Sequence, residues 1–144
     1  MADPPLADPL AWRQVKAPSL DELEVLAQEA YRRLPHKFRS LCEGLVIRVE
    51  DFADDETLAE MEIESPFELA GLYRGAPLTA RGAADLTQHL DMVFLYRRAL
   101  LDWWSEDTMD FEDLVRHVLI HEIGHHFGFS DDDMERIEAE AAQE

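Results

Sequence analysis

The run His121-Glu122-Ile123-Gly124-His125-His126-Phe127-Gly128-Phe129-Ser130-Asp131 constrains this chain more than any other segment. Two histidines four residues apart converge on one ion when the backbone between them is helical. They then sit one turn apart with Cβ atoms roughly 5–6 Å from each other, and both imidazoles can reach an ion at the Zn–N distance of about 2.0–2.1 Å. Glu122 is rotated about 100° from His121 on the same helix. Its carboxylate therefore points beside the ion, where it can take a proton from water. The segment must be a helix, and the helix must present this face to an open site.

One helix supplies only two ligands, so the third has to come from chain that turns back. Gly128 can adopt positive φ and end the helix sharply. Three residues later Asp131 can return a carboxylate to the ion; Asp132 or Asp133 would substitute for it if the turn differs. Three protein ligands leave zinc one open position, the catalytic arrangement. Two histidines and an aspartate leave formal charge +1 on zinc, so bound water is acidified less than by three histidines and Glu122 matters more as base. A hard oxygen ligand also makes other divalent metals acceptable in place of Zn²⁺. His117 lies one turn before His121 and reads as a packed helix histidine, with a supporting or fourth-ligand role as its alternative. His126 is turned away from His125 and reads as structural.

The surroundings follow from local rules. Residues 1–18 hold four prolines and read as an irregular arm, leaving 19–144 as a single domain. Ser19 with Glu22 forms a capping-box pattern, and the apolar spacing from Leu20 to Leu34 predicts a helix over 19–34, ended by Pro35. Residues 45–49 and 69–73 read as strands, with Gly71 and Gly75 marking an edge strand or a close backbone approach. Residues 53–62 suggest a short acidic helix, and 76–90, with Pro77 and Gly82, a loop. Residues 92–96 read as a strand running into a helix through 97–104. Asp110 caps the motif helix over about 111–127, and 132–142 predict a last acidic helix. Tyr73 and Tyr96 read as sheet-packing residues with an oxyanion-donor alternative, Trp103 and Trp104 as core or interface residues, and Cys42 as buried and inert.

Charge removes several function classes. Thirteen basic against thirty-two acidic residues give a net charge of −19, which disfavours binding to nucleic-acid phosphates or to anionic membranes. The acids cluster: nine between Glu50 and Glu68, six between Asp102 and Asp113, and seven between Asp131 and Glu144. Such blocks solvate a surface, and they also attract a basic substrate or partner. A single cysteine and an N-terminus without a signal-peptide pattern lead to the expectation of a cytoplasmic protein. No apolar run reaches the length of a membrane span.

The pattern HExxHxxGxxD resembles the metzincin signature with aspartate for the third histidine. More closely, the chain resembles the minimal zincins, a small bacterial family of metallopeptidase-like proteins. The similarity runs from about residue 19 to 137 and includes Arg33-Leu-Pro35, Val46–Glu50, Gly71–Pro77, Phe94–Arg97 and the motif helix. It implies an α+β fold, several helices on a small mixed sheet, with the metal site at the end of an active-site helix. It implies His121, His125 and Asp131 as zinc ligands, Glu122 as general base, and a strand near 69–73 bordering a cleft that binds an extended peptide by β-augmentation. The activity implied is zinc-dependent hydrolysis of peptides or proteins, basic ones by the charge argument. A non-catalytic metal-binding module, or one whose cleft a protein partner completes, is the alternative. The ligand spacing also resembles that of bacterial rRNA-maturation endonucleases, but the glutamate after the first histidine and the acidity argue against a nuclease.

Overall fold

A computed structural model describes residues 8–75 and 91–143. The loop expected over 76–90 and the first seven residues of the arm lie outside them. Residues 8–17 are exposed and contain one 3-10 turn, Ala11–Gln14.

Helix α1 spans Leu20–Arg32 and begins as its sequence requires: Ser19 Oγ accepts from the Glu22 backbone N–H while the Glu22 carboxylate accepts from Ser19 N–H. Pro35 ends this segment and starts a short helix, α2 (His36–Arg39), which continues into a 3-10 turn at Ser40–Cys42. Neither was expected; a single turn has too few positions to show a period. Strand β1 (Val46–Glu50) follows, then the short acidic helix α3 (Asp55–Glu60), capped by Asp54. Strand β2 is Gly71–Arg74 and strand β3 is Met92–Tyr96. Helix α4 (Arg97–Glu106) continues directly from β3. The motif helix α5 covers Phe111–His126, capped by Asp110, and α6 covers Asp131–Ala142, capped by Ser130.

The sheet is mixed, with order β1-β3-β2: β1 pairs parallel with β3, and β2 pairs antiparallel with it. The central strand is apolar on both faces. Val93 and Leu95 enter the main core with α1, α5 and α6, whereas Phe94 and Tyr96 pack on the opposite side with Leu58, Leu69, Leu72 and Ala99. In β2, Gly71 and Tyr73 face α5 while Leu72 faces away. Leu114, Val115, Leu119, Ile120 and Ile123 of α5 are at most 0% exposed, so this helix is the spine of the core. Burying five such side chains contributes roughly 1.5–3 kcal/mol each, and this anchors the helix that carries the motif. Cys42 is buried, and burial pushes its thiol pKa up, in keeping with an inert residue. Among the described residues no helix is long and apolar enough to cross a membrane.

Candidate metal centre and cleft

The motif helix ends where glycine allows it. Gly128 has φ +76°, its N–H donates to His125 C=O at 3.2 Å, and Phe129 N–H donates to Gly124 C=O at 2.8 Å. These two bonds are the Schellman pair, which satisfies the last carbonyls of a helix. The chain then reverses at once, because Ser130 and Asp133 form a capping box that starts α6. Helix α6 runs back along α5. Met134 lies against Gly124, where a Cβ would stand 2.4 Å from its Sδ. One turn later Glu138 reaches His121 and His117.

Three histidines, His117, His121 and His125, form a ladder at i, i+4 and i+8 on one face of α5. The rings of His117 and His121 are 4.1 Å apart between centroids, and those of His121 and His125 are 5.6 Å apart. Glu138 Oε1 lies 2.8 Å from His117 Nδ1 and 2.9 Å from His121 Nε2. His117, His121 and Glu138 are the described residues whose ligand atoms come within 4.8 Å of one another as a group able to hold an ion. The Asp131 expected as third ligand lies on the first turn of α6, exposed, and its carboxylate is not in that group. The tight reversal predicted at Gly128 is present, but the chain re-enters a helix at Asp131 itself, one residue earlier than the expected start at 132. Glu138 was missed because its role depends on how two helices pair. The available signal was its place beside the apolar stripe Met134, Ile137 and Ala141.

Glu122 occupies a different setting from the histidines. It accepts a hydrogen bond from the backbone N–H of Tyr73 in β2, and burial raises its pKa to about 7 against that opposing bond. A cavity of about 400 Å³ opens beside it, lined by His121, Glu122 and His125 from α5, by Leu69, Ala70 and Gly71 approaching and entering β2, and by Trp103 and Glu68 at its sides. Glu68 is placed there by a 3-10 turn, Pro66–Glu68, that Ser65 caps. Trp103, expected in a core or an interface, is 38% exposed and stands edge-on to His117. His126 turns away from the ladder and stacks on Tyr73 at 3.9 Å between centroids, the structural role its rotation predicts. Tyr96 is buried in the sheet.

The donor set fits a divalent ion. Imidazole nitrogens and a carboxylate converge on a half-buried face beside an open cavity, a mixture that suits zinc and its neighbours. The family model for zincin-like metallopeptidases matches residues 42–141, which include β1, the cleft strand, the histidine ladder and Glu138. No curated protein matches the chain.

Proposed function

The chain belongs to the zincin-like metallopeptidases, and from that premise we propose that it hydrolyses peptide bonds in the cavity between α5 and β2, with Glu122 as general base. One observation carries this reading: the second residue of the His-Glu-x-x-His motif is a carboxylate raised to about 7 by burial, facing the same cavity as His121 and His125. A carboxylate in that range both accepts and returns a proton near neutrality.

His121 and His125 would hold the ion together with a carboxylate, for which the motif spacing nominates Asp131. Bound there, Zn²⁺ or another divalent ion would supply Lewis acidity to the scissile carbonyl and acidify water. The chain's own residues do the rest. Glu122 takes a proton from the attacking water and delivers it to the leaving amine. The Tyr73 N–H holds the Glu122 carboxylate in place at the strand edge. Strand β2 pairs on one side with β3, and among the described residues its other edge carries no strand. An extended peptide laid beside residues 69–71 would enter the cavity in register with Glu122. Glu68 at the cavity margin favours a basic side chain on that peptide.

The test is Glu122→Gln, assayed on a fluorogenic peptide library with Zn²⁺ present and metal content measured in parallel. Hydrolysis should fall about 10²–10⁴-fold, the usual contribution of a general base, while metal content is kept. Unchanged hydrolysis would exclude Glu122 as the base.

A further inference from the structure

The helix that carries the motif holds a second pair of histidines at ligand spacing, and the carboxylate that completes a site lies on that pair. His117 and His121 are four residues apart, as His121 and His125 are. Glu138 Oε1 stands between the first two, 2.8 Å from His117 Nδ1 and 2.9 Å from His121 Nε2. We propose that His117, His121 and Glu138 form a divalent-cation site of their own, one helical turn before the motif pair, which binds zinc and related ions in competition with it.

The geometry is that of a preformed site. In a tetrahedral ion with ligands at about 2.0–2.1 Å, neighbouring ligand atoms are about 3.3 Å apart. The observed separations are 2.8 and 2.9 Å. All three ligand atoms lie within 4.8 Å of one another, so an ion enters after small outward movements of these side chains. Helix α6 fixes the backbone of Glu138, because fully buried Met134 one turn earlier packs on Gly124. Trp103 stands edge-on to His117, its ring centroid 5.8 Å away, and limits where that imidazole can swing. All three ligand residues are half-buried, so the ion is reachable from solvent while its ligands are held.

The consequence is competition. His121 presents Nε2 to Glu138, and one nitrogen cannot coordinate two ions. An ion held by His117, His121 and Glu138 removes His121 from the motif pair and leaves His125 alone. Each arrangement holds one ion, so the ratio of the two is set by their affinities, and the fraction of metal-loaded chain in the productive arrangement falls as the His117–His121–Glu138 site tightens. This inference rests on metal binding by the α5 histidines, as the proposed activity does, but not on hydrolysis.

The experiment is Co²⁺ titration of the metal-free full-length chain, followed by visible d–d absorption. Three variants accompany it: His125→Ala, Glu138→Gln, and the two combined. His125→Ala should retain a Co²⁺ site, and adding Glu138→Gln should weaken that site on the order of 100-fold. Loss of Co²⁺ binding in His125→Ala, or indifference of the double variant, would overturn the proposal. Imidazole ¹⁵N shifts provide an independent reading. In His125→Ala, whose motif pair is broken, saturating Zn²⁺ should move the His117 Nδ1 resonance to the metal-bound range, and a fixed His117 resonance would equally overturn the site. Either result leaves the Glu122→Gln assay free to succeed or fail by itself.

Discussion

Gly71 is what allows Glu122 to reach the edge of the sheet: a Cβ built on Gly71 would stand 3.2 Å from Glu122 Cγ and 2.7 Å from Val118 Cγ1. Glycine here removes a side chain that would keep the motif helix off the strand. Close approach in turn brings the Glu122 carboxylate within reach of the Tyr73 N–H and buries it, which is why its pKa rises to about 7. A residue without a side chain thus sets the chemistry of one that lies 51 positions later in the chain.

Gly71→Ala should accordingly damage both stability and activity. The added methyl group meets Val118 and Glu122 side chains and, at 3.3 Å, the Phe94 carbonyl. Overpacking of this kind costs roughly 1–3 kcal/mol. A lower urea midpoint together with reduced kcat is the expected result. An unchanged midpoint would show that α5 can move aside freely, and the link from Gly71 to Glu122 would fail.

Glu122→Gln should stabilise the metal-free chain, and more so at higher pH. Burial holds the folded-state pKa at about 7, above the ordinary value of 4.5. Below pH 4.5 the carboxyl is neutral in both states and imposes no penalty. As pH rises through the interval to about 7 the unfolded state ionises first, so stability is lost across that window and stays lost above it. Glutamine is neutral throughout. Allowing for the partial exposure of the site, the variant's advantage should grow from near zero at pH 4 to about 2 kcal/mol at pH 8. Paired urea denaturation series in chelator check this, since effects common to both chains cancel in the difference. An advantage independent of pH would mean that the carboxylate is not desolvated.

What could be read from the sequence followed the range of the rules involved. Ser19 with Glu22, Asp110 and Gly128 act over three or four residues, and each does in the structure what its local pattern requires. Gly71 was legible as an edge or close-approach glycine, but not that Val118 and Glu122 were the groups approaching it. Glu138 was illegible for the same reason. Seven residues separate it from Asp131, and only the antiparallel pairing of α5 with α6, seated by Met134 on Gly124, brings it to His121. The short helix at His36–Arg39 and the turn at Pro66–Glu68 are too brief to show a period, although the second decides which acid borders the cavity.

Removing the metal should abolish hydrolysis and leave the fold intact. The α5–α6 hairpin is closed by the Gly128 turn and by Met134 on Gly124, and α1 and the sheet pack on α5 through buried aliphatic side chains. None of these contacts uses a ligand atom. Chelation should therefore leave the far-UV circular dichroism unchanged and lower the unfolding free energy only by the lost binding linkage, about 2.7 kcal/mol if the ion was present at a hundredfold excess over its Kd, with a matching drop in Tm. Unfolding on chelation would instead favour the reading in which the metal staples a non-catalytic module.

Basic peptides should be cleaved faster than acidic ones, and the advantage should shrink with salt. The acids between Glu50 and Glu68 do not contribute equally. Asp51 is paired with Arg97 at 3.1 Å, Glu60 with Arg74 at 2.9 Å, and Asp54 caps α3. Glu68 lines the cavity itself, and the family of charges behind it adds a long-range field. That field is screened beyond about 10 Å at 0.1 M ionic strength. kcat/KM for lysine- or arginine-containing peptides should fall between about 0.02 and 0.3 M salt, with little change for neutral peptides. Glu68→Gln isolates the local part, because glutamine keeps the capping-box bond to the Ser65 N–H while removing the charge. The variant should lose about two- to fivefold of the preference, as expected for one exposed ion pair worth up to about 1 kcal/mol. Equal turnover of acidic and basic peptides by the unsubstituted chain would leave the acidic blocks a solvating role alone.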